Sequence, residues 1–177
     1  MHALIVYESM YGNTHAVAEG IAGGLRPLGE VRVVPVHEAT DDVVAWADLV
    51  VVGAPTHVHG LTRASTRKNA IERAAQPGSE LSLEPDAEGP GVRDWLGSLA
   101  KVDHKPGAAF DTRAEGPALL TGRASGSIAS GLRHHGFKLV AKPESFLVDK
   151  QSKLVAGEAE RASQWGARLA ADLVPAS

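Results

Sequence analysis

The chain has 177 residues, 44% of them hydrophobic and 22% charged, with a net charge of −3 and no cysteine. That length suffices for one domain with a full central sheet, and the weak net charge offers no basic field for nucleic acid. The missing cysteines exclude a disulfide framework, a cysteine zinc site, a thiol nucleophile and Cys-ligated iron–sulfur clusters. No stretch approaches the roughly 20 apolar residues of a membrane span, so a soluble, cytoplasmic protein with neither membrane nor nucleic-acid partner is expected.

The amino-terminal run Ala3 to Tyr7 ends in Glu8 and a glycine turn without a basic leader, which reads as a buried strand rather than a signal peptide. Asn13 to Leu25 reads as a helix with Val17, Ile21, Gly24 and Leu28 on one stripe. Gly20 and Gly24 within it point to a close approach of helix and sheet. Val31 to Val36 is a second strand, and Pro35 assigns it an edge position because proline cannot donate to the ladder. Thr40 caps a short helix through Trp46. Leu49 to Ala54 is a β-branched, uncharged central strand stopped by Pro55.

Leu61 to Ala75 forms a helix whose Arg63, Arg67, Lys68 and Arg73 suggest a solvated face. Gln76 to Gly91 holds three prolines, three glycines and the acids Glu80, Glu84, Asp86 and Glu88, and should be a long surface loop. A short helix from Val92 to Leu99 carries Trp95, a strand covers Ala108 to Phe110, and a helix follows from Arg123 to His135. The last strand lies between Phe137 and Val148, interrupted by Pro143, and Glu158 to Leu173 closes the chain as a helix. Short apolar strands alternating with helices predict a parallel α/β sheet covered on both faces. Residues 1–177 form one domain in this reading, with an inserted loop and short helix at about 76–99.

The chemistry concentrates at strand ends. Ser9-Met10-Tyr11-Gly12-Asn13-Thr14 follows the first strand and opens the first helix. Backbone N–H groups and the positive helix end there can face an anion, Gly12 permits a tight turn, and Ser9, Asn13 and Thr14 add neutral donors. An ordinary capped helix start would use the same residues. Neither the Walker A spacing nor the Gly-x-Gly-x-x-Gly fingerprint is present.

Ser9 to Thr14 resembles the phosphate loop of the flavodoxins, a Ser/Thr-rich turn ending in Gly-Asn-Thr, and its Ser-Met-Tyr-Gly piece is similar to the flavodoxin-like quinone reductases. The resemblance implies an α/β, doubly wound, five-stranded parallel sheet of order 2-1-3-4-5 with helices on both faces. It also implies FMN as cofactor at the switch point between strands one and three.

Two further loops gain a meaning from it. Pro55-Thr56-His57-Val58-His59-Gly60 follows the third strand, where flavodoxins cover one face of the isoalloxazine, often with an aromatic residue. Here His57 and His59 stand in for that aromatic. A metal reading of the pair lacks a third ligand nearby. Asp111-Thr112-Arg113 follows the fourth strand, where Asp111 or Thr112 would bond the pyrimidine edge and Arg113 would approach the N1–O2 side. An Asp111–Arg113 salt bridge ordering the loop is the plainer alternative.

The expected function is an FMN-binding redox protein, either an electron carrier or an enzyme passing electrons from NAD(P)H to a quinone-like acceptor. Its partners would be FMN and either a redox protein or that acceptor. The enzyme version uses the 76–91 loop as a roof over the flavin, with Trp95 lining the acceptor pocket. A flavin-free interaction or scaffold domain on the same fold is the alternative.

Overall fold

The computed structural model describes residues 1–57 and 60–173. The chain runs β1 (His2–Tyr7), α1 (Asn13–Leu25), β2 (Glu30–Pro35), α2 (Asp41–Trp46), β3 (Leu49–Pro55) and α3 (Ala64–Ala74). It continues α4 (Val92–Ser98), β4 (Pro106–Ala114), α5 (Ala118–Thr121), α6 (Ala124–His134), β5 (Lys138–Leu139), β6 (Glu144–Val148) and α7 (Glu158–Leu173).

All the strand pairs are parallel, in the order β2-β1-β3-β4-β5, with β6 also paired to β4. The expected order 2-1-3-4-5 is therefore present, and its fifth position is shared by two short strands. β5 pairs with the start of β4 at Pro106 and Gly107, and β6 with its end from Phe110 to Ala114. Pro143, which has no N–H to give a ladder, lies in the gap between them. β2 lies at one edge of the sheet, as Pro35 predicts. β4 is far longer than the Ala108–Phe110 core that hydrophobicity marks, because its polar half is paired too, Asp111 and Thr112 with both β3 and β6 and Arg113 and Ala114 with β6.

Side-chain alternation sends the strands' apolar residues to two faces. Leu4, Val6, Val50, Val52 and Ala109 pack with Trp95, Ile128 and Leu132 from α4 and α6. Ala3, Ile5, Leu49, Val51, Phe110 and Phe146 pack with Val17, Ile21, Trp165 and Leu169 from α1 and α7. The close approach signalled by the α1 glycines is to α7 rather than to the sheet. A Cβ at Gly24 would lie 2.1 Å from the Ser163 carbonyl oxygen, and one at Gly166 would lie 2.3 Å from that of Ile21.

Two other features depart from the sequence reading. Ala118–Thr121 forms a helical turn that the sequence pattern does not mark, and it exposes Leu119 and Leu120. Arg67 is buried rather than solvated. Its Nη1 donates to Thr62 Oγ1 at 3.2 Å and its Nη2 to Asp94 Oδ2 at 2.9 Å. Thr62 in turn donates to the buried Glu8 carboxylate, whose other oxygen accepts the Val92 N–H at 2.8 Å. This network ties the end of β1 to the starts of α3 and α4. No described helix is long and apolar enough to cross a membrane.

Candidate functional site

The carboxyl ends of β1, β3, β4 and β6 open onto a cavity of about 440 Å3. It lies where the sheet order reverses around β1, the position at which open α/β sheets bind ligands. Its floor is the loop from Ser9 to the first turn of α1. Gly12 sits at φ 86°, a left-handed conformation suited to glycine, and its N–H donates to Ser9 Oγ at 3.1 Å. The turn this creates leaves the first N–H groups of α1 without intrahelical acceptors. Ser9, Met10, Tyr11, Asn13 and Thr14 line the cavity. Gly12 does not; it shapes the loop.

The floor's side chains are held in place. Thr14 Oγ1 and Thr112 Oγ1 are 2.8 Å apart, both residues buried. Asn13 Nδ2 donates to the Ser152 carbonyl at 2.7 Å, and the Tyr11 hydroxyl donates to the Ala70 carbonyl at 2.8 Å.

Pro55, Thr56 and His57 form a second wall. His57 and Gly60 exchange backbone hydrogen bonds at 2.8 and 3.1 Å, and Gly60 does not line the cavity. Val58 and His59 lie outside the described residues. Thr56 is bonded on both sides. Its N–H donates to the Thr112 carbonyl at 2.8 Å, and its Oγ1 accepts the Ala124 N–H at 2.9 Å.

Thr112 and Arg113 reach the cavity from β4, but Asp111 is not in its lining. Strand alternation points Asp111 toward α6, where its Oδ2 accepts the Ser125 N–H at 2.7 Å. Asp111 thus satisfies an orphan donor at the start of a helix rather than facing a ring edge. The Asp111–Arg113 salt bridge is absent as well. Arg113 Nη1 instead donates to the Gly116 carbonyl at 2.8 Å and to Thr121 Oγ1 at 3.0 Å, and its buried Nε has no partner among the described residues.

Two walls escaped the sequence reading. Thr66, Asn69, Ala70 and Arg73 line the cavity from α3. Their spacing is that of one helix face, a signal masked by the basic residues around them. Val148, Asp149, Lys150 and Ser152 contribute from the turn after β6. Nothing in their order marks that turn as a neighbour of the first loop, more than 130 residues earlier in the chain.

Comparison with known proteins fits this geometry. The family model for the flavodoxin domain matches residues 4–70, the stretch that carries the floor and the second wall. A flavodoxin of Aquifex aeolicus (strain VF5) is 46% identical over 57 residues. That alignment spans 31% of this chain and 31% of the relative. Across the whole chain, oxidised Flavodoxin 1 from Bacillus cereus superposes with a TM-score of 0.66 at 19% identity, covering 98% of this chain and all of that one (100%). A flavodoxin from the domain Archaea superposes with a TM-score of 0.64 at 21% identity, covering 97% of each chain. The fold is flavodoxin-like.

The electrostatics of the cavity are set by few charges. Arg73, Arg113 and Lys150 line it, while Asp149 is the one carboxylate among the described lining residues. Burial, reinforced by the Arg73 guanidinium, holds His57 below the ordinary histidine range, so its imidazole is neutral at pH 7. Just behind the floor, Tyr7 stacks on His15 with ring centroids 4.4 Å apart. Burial, aided by the carboxylates of Glu84 and Asp86, pushes the Tyr7 hydroxyl up to about 12, so it stays protonated.

The 76–91 loop does not roof the cavity, since none of its residues lines it. It packs instead on the outer side of the first loop. Glu84 N–H donates to the Met10 carbonyl at 2.9 Å, the Glu84 carboxylate pairs with His15 at 3.2 Å, and Leu83 and Ala87 pack on Met10. Trp95 is a packing anchor, buried between α2 and α6 with its Nε1 donating to the Ala39 carbonyl at 2.8 Å.

Proposed function

We propose that this protein binds FMN in the strand-end cavity and serves in electron transfer. One observation carries the reading. The cavity joins a helix N-terminus with a cation-rich lining at the switch point of a flavodoxin-like sheet, a combination suited to a phosphorylated planar ligand. Its volume of about 440 Å3 falls in the ~300–1,000 Å3 range of sites that take one small ligand.

The residues divide the ligand between them. Ser9, Asn13, Thr14 and the first N–H groups of α1 receive the phosphate. Pro55, Thr56 and neutral His57 form one wall for the ring, and Thr112 and Arg113 meet its polar edge. The unpartnered Arg113 Nε is a donor that a carbonyl acceptor would satisfy. When bound, FMN supplies one- or two-electron redox chemistry.

Electron transfer to a partner protein fits better than turnover of a quinone-like acceptor with NAD(P)H. The loop that would have enclosed a second substrate packs elsewhere, and Trp95 is turned into the core. Beside the cavity, α5 exposes Leu119 at 92% and Leu120 at 68%, an apolar contact next to Arg113 of the kind interfaces use. The test is a visible spectrum of the protein with and without added FMN, followed by stopped-flow reduction. Uptake of electrons from a flavoprotein reductase, without turnover of quinones by NADH or NADPH, is expected. Rapid quinone turnover would favour the enzyme, and a protein that takes up no flavin would favour a scaffold role.

A further inference from the structure

The Ser9–Thr14 loop contains no lysine or arginine, so a phosphate dianion there would rest on neutral donors. The chain supplies a cation from elsewhere. Lys150 stands on the turn that follows β6 and lines the same cavity as Ser9, Asn13 and Thr14.

That turn is firmly built. Asp149 Oδ1 accepts the N–H groups of Gln151 and Lys153, each at 2.9 Å, and Asp149 N–H donates to the Lys153 carbonyl at 2.8 Å. Val148 and Leu154 close it as an antiparallel bridge. It is also fastened to the floor, because Asn13, the first residue of α1, donates to the Ser152 carbonyl at 2.7 Å. Lys150 is therefore two residues from a direct contact with the phosphate loop.

The two lysines of the turn have different partners. Lys153 pairs with Glu80 at 3.6 Å. Lys150 is exposed and has no carboxylate partner among the described residues, and its neighbour Asp149 has an oxygen already occupied by two N–H donors. Arg73 and Arg113 also line the cavity without a carboxylate partner among the described residues, but Arg113 is tied to the Gly116 carbonyl and Thr121, and Arg73 comes from α3, where its charge acts on His57 and Tyr11.

We infer that Lys150 is a phosphate-specificity residue, its ammonium pairing with the ligand's phosphate beside the Asn13–Thr14 turn to which its own turn is fastened. The inference rests on the FMN reading above and adds to it the source of the counter-charge. An ammonium is a point charge that needs no fixed fork geometry, so an exposed lysine on a fixed turn suffices. Its contribution is screened by salt.

The experiment titrates the full-length, flavin-free protein with FMN and with riboflavin by fluorescence, at low and high ionic strength. The wild type is compared with Lys150→Gln, Lys150→Arg and Arg73→Gln. Lys150→Gln should weaken FMN binding about fivefold at low salt, leave riboflavin unchanged and flatten the salt dependence. Lys150→Arg should restore FMN binding, and Arg73→Gln should lower the FMN-to-riboflavin ratio less than Lys150→Gln does. An unchanged ratio in Lys150→Gln overturns the inference while leaving the FMN reading intact. So does an equal loss of both ligands, which would mean only a loosened turn. A wild type that binds neither flavin overturns the FMN reading itself, and the role of Lys150 with it.

Discussion

The hydroxyls of Thr14 and Thr112, 2.8 Å apart and buried, join the first turn of α1 to the end of β4 across the cavity floor. Residues nearly 100 positions apart in the chain thereby fix the loop that would hold a phosphate against the strand that would meet the ring. A buried hydroxyl that loses its partner costs about 1–2 kcal/mol, whereas replacing both partners by apolar isosteres is close to neutral. Thr14→Val and Thr112→Val should each destabilise by that amount in urea unfolding, and the double variant by less than their sum. Thr14→Val should also weaken FMN binding more than Thr112→Val does, because its hydroxyl lies on the phosphate side.

The Glu8 network makes a pH-dependent statement. Burial raises the Glu8 carboxyl above its ordinary value of 4.5, although Thr62, the Val92 N–H and Arg67 each pull it back. A carboxyl raised in this way holds its proton more tightly folded than unfolded. Its contribution to stability is therefore full below 4.5 and is lost as pH rises from there through the raised value. Glu8→Gln, which keeps a carbonyl for Val92 and an amide donor for Thr62, should remove that part of the slope. Glu8→Ala strands the Val92 N–H and the Thr62 hydroxyl and should cost about 2–3 kcal/mol. Urea midpoints at a series of pH values check both.

His57 behaves in the opposite sense. Burial and the nearby Arg73 lower its pKa, partly countered by the Thr66 backbone. Stability from neutral His57 is present above its ordinary 6.5 and is lost as pH falls below that through the depressed value. Arg73→Gln should move the His57 ring titration, followed by NMR, back toward 6.5. Any coupling of this imidazole to flavin potential should accordingly appear on the acid side of neutrality. An unchanged His57 titration in Arg73→Gln would remove the electrostatic link between α3 and the second wall.

Trp95→Ala should act on stability and not on the site. Deleting a buried indole and its bond to the Ala39 carbonyl should cost about 3–5 kcal/mol. Flavin affinity, measured where the variant remains folded, should be unchanged. A selective loss of FMN binding would return Trp95 to the cavity.

Local patterns carried most of the fold. The β-branched run Leu49 to Ala54, Pro35 at an edge and the helices Asn13–Leu25 and Glu158–Leu173 were all legible, because period and punctuation are properties of a short window. The polar end of β4 was not. Asp111 to Arg113 look like a loop until β6 pairs with all three and β3 with the first two. The site divided the same way. The floor is one contiguous loop and could be read, whereas its partner Ser152 meets Asn13 only through the fold. Asp111 misled because a buried helix-capping carboxylate and a ligand-facing one look alike in sequence. The long loop misled because composition shows that it is a loop and not where it packs.

The central claim is that FMN occupies the strand-end cavity, and the most direct measurement is an amide NMR titration of the flavin-free protein with FMN. The account expects one saturable event in which the amides of Ser9 to Thr14 shift together with those of His57, Thr112 and Arg113. A parallel titration with riboflavin should be weaker and should leave the Asn13 and Thr14 amides nearly unmoved. No saturable shift, or shifts confined to residues outside the cavity, would contradict it.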